Sequence, residues 1–373
     1  MRDDSASYYD GQEFIDLLTM YEDMVSSGTS MYFDSMDIAN IAEYYSMNGE
    51  LDKSDDAIEF GLDLHPQDPD ILIAKAGNLL MRGRKDESRV ISESIVDPDN
   101  QELMYLRGII EVADHDYEAS EIYFTQAVEM SGNDPGMLND IIVKYMDERE
   151  FDLCQKWLDR ALVMSPDSRN FIELQADLYF DTGQMDTAIV WYNHLLDEFA
   201  YDSYYWEQLG RIYFEKSDYP KARECFEFIE AIDPASDHAR LMKGNCLLQM
   251  KQWTEAAEIY RPMLEEDPTS PTLHYYYGRC LLEMDDPDTA LIHFQLAWDC
   301  LDDDDENIVE LHLDLYTDMA RCCLKSGKTE MAKIYVCNGL QLDPLEPELI
   351  EMAKYLLSPD ELEQALNNDN TND

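Results

Sequence analysis

Eight cysteines and seven histidines are the first places to look for metal or redox chemistry in this sequence. Their spacing does not supply it. No two cysteines stand as C-x-x-C, and none of His65, His115, His194, His238, His274, His293 and His312 falls in H-E-x-x-H or H-x-x-x-H, so no helical turn offers two ligands to one ion. Vicinal Cys322 and Cys323 are the one candidate for redox sensitivity. There is no G-x-S-x-G elbow for a nucleophile, no Walker loop, and no G-x-G-x-x-G opening a strand-helix pattern. The run Asp302-Asp303-Asp304-Asp305-Glu306 lacks the alternating ligands and central glycine of an EF-hand. It reads instead as an acidic helix start, with Asp304 or Asp305 as cap and the helix running through Val309, Leu313 and Met319, since a helix N-terminus favours negative charge. No catalytic residue, metal or cofactor is implied.

Charge narrows the partners further. Lys and Arg number 27 against 81 Asp and Glu, a formal net charge of −54. Phosphate backbones and anionic lipid surfaces are repelled by such a surface, which argues against nucleic acid and against a membrane surface. No stretch of eighteen apolar residues is present to span a bilayer. Met1-Arg2-Asp3-Asp4 is followed by no apolar run and residue 2 is not glycine, so neither a signal peptide nor N-myristoylation is expected, and the expected location is cytoplasmic. The acidity itself reads as solubility of a large surface, with a taste for basic partners as the alternative.

What must position any functional group here is a repeat of thirty-four residues. Counting from Ser203, Trp206, Leu209, Gly210, Tyr213, Tyr219, Ala222, Phe226 and Pro234 occupy positions 4, 7, 8, 11, 17, 20, 24 and 32. The register continues through Gly244, Leu247, Trp253, Ala256, Tyr260 and Pro268, then Gly278, Leu281, Ala290 and Phe294. It runs back to a first copy at Ser35 with Ala42, Tyr45, Gly49 and Pro66. Nine units start at 35, 67, 101, 135, 169, 203, 237, 271 and 313. The second needs a slip of two residues to set Gly83 in its turn, and the ninth follows an eight-residue insertion at 305–312.

This spacing resembles the tetratricopeptide repeat (TPR), a helix–turn–helix unit. The resemblance implies an all-α fold, a right-handed TPR superhelix or alpha-alpha solenoid, in which small residues at positions 8, 20 and 27 let helices approach and large ones fill the space around them. It places Cys246, Cys280 and Cys322 at position 10 and Cys154 at position 20 as buried free thiols. Proline near position 32 ends each unit, since it cannot continue a helix. Outside the repeats, 1–34 holds a capping helix with the stripe Phe14, Leu17, Leu18, Tyr21, Met24 and Val25 and Asp10 as its cap. The nine units fill 35–346. Capping helices occupy 347–366, the last entered through the box Ser358-x-x-Glu361, and the polar tail 367–373 is expected to be disordered.

The resemblance also locates a binding surface. In the family, the concave face is lined by first-helix positions 2, 5, 9, 12 and 13. In units six to nine, position 9 holds Arg211, Asn245, Arg279 and Arg321, and position 12 holds Phe214, Leu248, Leu282 and Leu324. Position 5 contributes Glu207, Leu241, Tyr275 and Thr317, and position 2 contributes Tyr204 and His238. The candidate groove is therefore Tyr204, Glu207, Arg211, Phe214, Asn245, Leu248, Tyr275, Arg279, Leu282, Arg321 and Leu324. Its polar groups suit the backbone or acidic side chains of an extended peptide, and its apolar ones suit that peptide's side chains. The competing reading is surface ion pairing within helices, as Glu207 with Arg211 or Arg279 with Glu283. Position 5 carries no lysine in any unit, which argues against the clamp by which some family members hold a chaperone's C-terminal carboxylate. The implied function is a non-catalytic scaffold whose partners are other proteins or peptide segments; the alternative is an acidic assembly factor or holdase for basic clients.

Overall fold

The computed structural model describes residues 8–301 and 308–366. Twenty-one helices account for the architecture, and no strand occurs among the described residues. The chain forms two compact units, one ending at Gly183 and one starting at Gln184.

The first unit opens with α1 (Gln12–Ser27). Paired helices follow: α2 (Ser35–Met47) with α3 (Leu51–Leu64), α4 (Pro69–Met81) with α5 (Lys85–Ser94), α6 (Gln101–Ala113) with α7 (Tyr117–Met130), and α8 (Pro135–Asp147) with α9 (Phe151–Met164), before α10 (Arg169–Asp181). Phe14, Tyr21 and Met24 bury α1 against the first pair, whereas Val25 is exposed. Asp10 does not cap this helix: Gly11 stands at the cap position with no side-chain bond. The slip in the second repeat has a physical cause, for α5 has ten residues where other second helices of this unit have fourteen. Arg107 of α6, at a position the repeat gives to a large apolar residue, reaches back to donate to the carbonyls of Ser92 and Ile95 at 2.8 and 3.4 Å, satisfying the end of the shortened helix.

The second unit runs α11 (Met185–Glu198), α12 (Ser203–Glu215) with α13 (Tyr219–Ile232), α14 (Asp237–Gln249) with α15 (Trp253–Glu266), α16 (Pro271–Glu283) with α17 (Pro287–Asp299), α18 (Ile308–Lys325) with α19 (Thr329–Leu342), then α20 (Pro347–Leu356) and α21 (Pro359–Leu366). Side chains of Asp202, Ser236 and Ser270 accept from backbone N–H groups of the first turns of α12, α14 and α16, so each first helix starts where its cap dictates. Ser358 and Glu361 close their box in both directions at the start of α21.

Packing inside the pairs α12–α13 and α14–α15 depends on the glycine at position 8. A Cβ added at Gly210 would stand 2.8 Å from the Phe226 ring, and one at Gly244 would stand 2.6 Å from the Tyr260 ring. The ring at position 24 therefore presses its outer edge against the facing helix where the glycine leaves room. Ala222, Ala256 and Ala290 are fully buried in the same contacts. The turn between the two helices of a pair passes through a left-handed residue at position 15, which is Gly49, Gly83 and Gly327 in some units but Ser217, Lys251 and Asp285 in others. At Ser217 and Asp218 the backbone N–H groups return to Phe214 and Tyr213 at 2.9 and 2.8 Å, closing the end of α12.

The insertion lengthens α18 to eighteen residues, against thirteen in α12, α14 and α16. Its extra turn covers the end of the preceding pair: the His312 ring lies 4.3 Å from that of Trp298, and Leu311 packs into the same cluster. The expected cap at Asp304 or Asp305 and the expected disordered tail at 367–373 lie outside the described residues. Cys154, Cys225, Cys246, Cys280, Cys322 and Cys323 are buried free thiols.

Candidate functional site

In the second unit the first helices α12, α14, α16 and α18 lie side by side, and polar contacts cross between them. His238 Nε2 lies 3.4 Å from Glu207 Oε1, and the Tyr275 hydroxyl donates to Asp314 Oδ2 at 3.0 Å. Burial pushes the Tyr275 phenol up, so it stays a donor at neutral pH.

A cleft of about 260 Å³ opens on this face. Five of the sequence-derived residues line it together: Phe214, Asn245, Leu248, Tyr275 and Arg279. Phe214 is half-buried and Leu248 is buried, so the two make an apolar floor. Asn245 Oδ1 accepts from the Tyr260 hydroxyl at 2.7 Å, which fixes the amide's orientation. The guanidinium of Arg279 lies over the Tyr275 ring, 5.7 Å from its centroid. The remaining candidates lie outside the lining. Tyr204 and Arg211 are exposed, and Glu207 engages His238. Arg211 Nη1 donates to Gln208 at 3.1 Å. Leu282 is fully buried core, while Leu324 is half-buried.

Arg321 belongs to an ion network beside the cleft. Asp318, 5% exposed, is bonded by Arg321 Nη1 at 2.8 Å and approached by Arg279 Nε at 3.8 Å. Arg321 also meets Glu283 at 2.8 Å and Glu348 at 3.4 Å. Burial pushes the Asp318 carboxyl up to about 6, even though Arg279 and Arg321 pull it down. Arg321 thus pairs with Asp318 within α18, while Arg279 with Asp318 and Arg321 with Glu283 reach across helices, and Glu283 serves Arg321 of the next first helix where its spacing also suited Arg279.

Sequence reasoning missed Asp318, and with it Met242 and Tyr276 of the cleft wall. All three occupy repeat position 6, as does Gln208. That position faces the seam between neighbouring first helices, and a polar residue recurring there is the signal that could have found it. Among the described residues no three His, Cys, Asp or Glu side chains gather as a metal site, and no helix is long and apolar enough to cross a membrane.

Two tetratricopeptide repeat family models match the sequence, one over residues 207–271 and the other over 247–312. The chain is a tetratricopeptide repeat protein. Both matches fall on the helices that build the cleft. Stress-induced-phosphoprotein 1 of Caenorhabditis elegans is 21% identical to the tetratricopeptide chain over 194 residues, covering 50% of this chain and 56% of that protein. The anaphase-promoting complex subunit CDC16 of Saccharomyces cerevisiae is 25% identical over 226 residues, covering 58% of this chain and 25% of that one. The alignments thus span little more than half of one curated relative and a quarter of the other. In three dimensions, the C-terminal part of a TPR repeat-containing protein from Cytophaga hutchinsonii aligns with a TM-score of 0.52 at 18% identity, covering 66% of this chain and 97% of that one. At that identity the likeness speaks to the fold alone.

Proposed function

We propose that this tetratricopeptide protein is a non-catalytic, cytoplasmic scaffold that holds a partner polypeptide against the first-helix face of its second unit. In this reading the nine repeats at 35–346 are the working array, and the helices before and after them are caps. Tetratricopeptide proteins generally mediate protein–protein interaction. The observation that carries the reading is the cleft itself: Phe214 and Leu248 make an apolar floor under the polar groups of Asn245 and Arg279, contributed by three successive first helices. An extended segment lying across those helices would bury apolar side chains on the floor and satisfy its own backbone on the polar rim. A second reading, an acidic holdase for basic clients, is favoured by the net charge of −54.

The two separate by salt and by site. The 373-residue chain is used to retrieve partners from a cytosolic lysate at low and high salt, beside Phe214→Ala and Gln249→Arg chains. Gln249 is exposed on the cleft lining, so an arginine there obstructs the cleft without entering the core. Salt-resistant partners lost with both substitutions support the scaffold. Many basic, salt-labile partners that ignore both substitutions support the holdase and overturn the groove.

A further inference from the structure

We infer that the cleft receives an acidic side chain: the segment it fits is an extended stretch in which an aspartate or glutamate stands beside a large apolar residue, and Arg279 is the fork that takes the carboxylate. This deepens the groove reading above and rests on it.

Arg279 and Arg321 share one buried carboxylate unequally. Arg321 bonds Asp318 and Glu283 at 2.8 Å each and meets Glu348 at 3.4 Å. Arg279 comes no nearer than 3.8 Å to Asp318 and makes no hydrogen bond among the described residues, while 38% of its side chain remains exposed. A guanidinium carries five N–H donors in a plane that matches a carboxylate, and here none of them donates a hydrogen bond to a described residue, although Asp318 lies 3.8 Å from Nε and Asp314 shares the cleft lining. The polar groups around it are engaged: the Tyr275 hydroxyl donates to Asp314, and Asn245 Oδ1 accepts from Tyr260. Stacking on Tyr275 holds the fork in place before any partner arrives, which lowers the ordering cost of binding. The volume also points to a side chain. About 260 Å³ lies below the usual range for small-molecule pockets, roughly 300–1,000 Å³. Beside the fork, Phe214 and Leu248 supply the surface on which the neighbouring apolar residue lies.

The net charge of −54 opposes such a partner at long range, which makes the sign of the salt effect diagnostic. Repulsion between two acidic surfaces is screened over a Debye length of about 10 Å at 0.1 M salt, whereas a contact pair in a partly desolvated cleft is screened less. The association rate of an acidic segment therefore rises as salt is added, and that of a basic segment falls.

The test pans a random dodecapeptide phage library on the immobilised 373-residue chain and keeps peptides that Phe214→Ala chains and chains carrying the bulky, uncharged Gln249→Trp fail to hold. Those peptides are expected to share an Asp or Glu next to an apolar residue, and their association is expected to quicken with salt. Changing that acid to its amide in a synthetic peptide is expected to weaken binding to the unaltered chain about ten- to hundredfold, the range for a hydrogen bond to a charged group. The same change is expected to cost almost nothing on the Arg279→Gln chain. Because the peptide substitution is read on unaltered protein, folding of the variant does not enter. Cleft-dependent peptides that carry Lys or Arg, or no charge at all, overturn the acidic-partner inference and leave the groove standing. A library with no cleft-dependent peptide overturns both.

Discussion

Asp318→Asn isolates the electrostatics that underlie the candidate site. The carboxyl is 5% exposed and pushed up to about 6, against an ordinary value near 3.8. A carboxyl whose folded value lies above its unfolded one binds its proton more tightly in the native state. Its contribution to stability is therefore complete below about pH 4 and is lost as pH rises through about 6. The sequence isoelectric point near 4.1 makes the lower end unworkable for solubility, so the comparison belongs between pH 5 and 7.5. Over that window linkage gives a loss of about 1.4 kcal/mol for the unaltered chain, which the Asp318→Asn chain does not suffer. Other half-buried carboxyls titrate in both proteins and cancel in the difference. Urea unfolding followed by circular dichroism at the two pH values, with amide exchange in α16 and α18 as the local reading, measures it. Parallel pH profiles would refute the reasoning, because they would mean that Arg279 and Arg321 fully compensate the burial of Asp318.

Gly244→Ala should lose about 1–3 kcal/mol to overpacking against the Tyr260 ring, outweighing a helix-propensity gain of about 1 kcal/mol; chemical denaturation gives the sign. Lys251→Gly should gain about 0.5–1 kcal/mol by relieving a left-handed side-chain residue at φ +61, read as a raised unfolding midpoint. Ala222→Arg should unfold its pair at a cost of about 3 kcal/mol or more, whereas Gln249→Arg should leave the melting temperature nearly unchanged. Arg321→Ala should lower stability as well as any partner capture, since it strips a buried carboxylate of its nearest cation; capture lost without loss of stability would contradict the network.

Much of the fold could be read from the sequence because its determinants are local. Caps such as Asp202, Ser236 and Ser270, and the prolines at helix starts, act within a turn of where they stand. The pairing of Gly210 with Phe226, or Gly244 with Tyr260, recurs at one fixed spacing inside a unit. The candidate site was less legible, because its contacts are made between units. Arg279 has Glu283 four residues away and Asp318 thirty-nine away, and only the approach of α16 to α18 decides between them. The ladder at position 12 divides for a related reason: Phe214 and Leu248 floor the cleft, Leu282 is fully buried core, and Met242 and Tyr276 at position 6 form part of the wall. The shortened α5 was visible only as a slip in register, and its repair by Arg107 needed three dimensions.

The buried cysteines give each stretch of this array its own clock. Burial pushes the thiols of Cys154, Cys225, Cys246, Cys280 and Cys322 up to about 12, so a soluble alkylating reagent at neutral pH finds almost no thiolate and no path to it. A solenoid opens locally, since each repeat touches only its neighbours. The rate at which each thiol is trapped in the native protein therefore reports the opening of its own pair of helices, without a single engineered label. Partner binding across α12 to α16 would then be visible as a slowing of Cys246 and Cys280 relative to Cys154, which turns an incidental run of small buried residues into a resident footprinting probe.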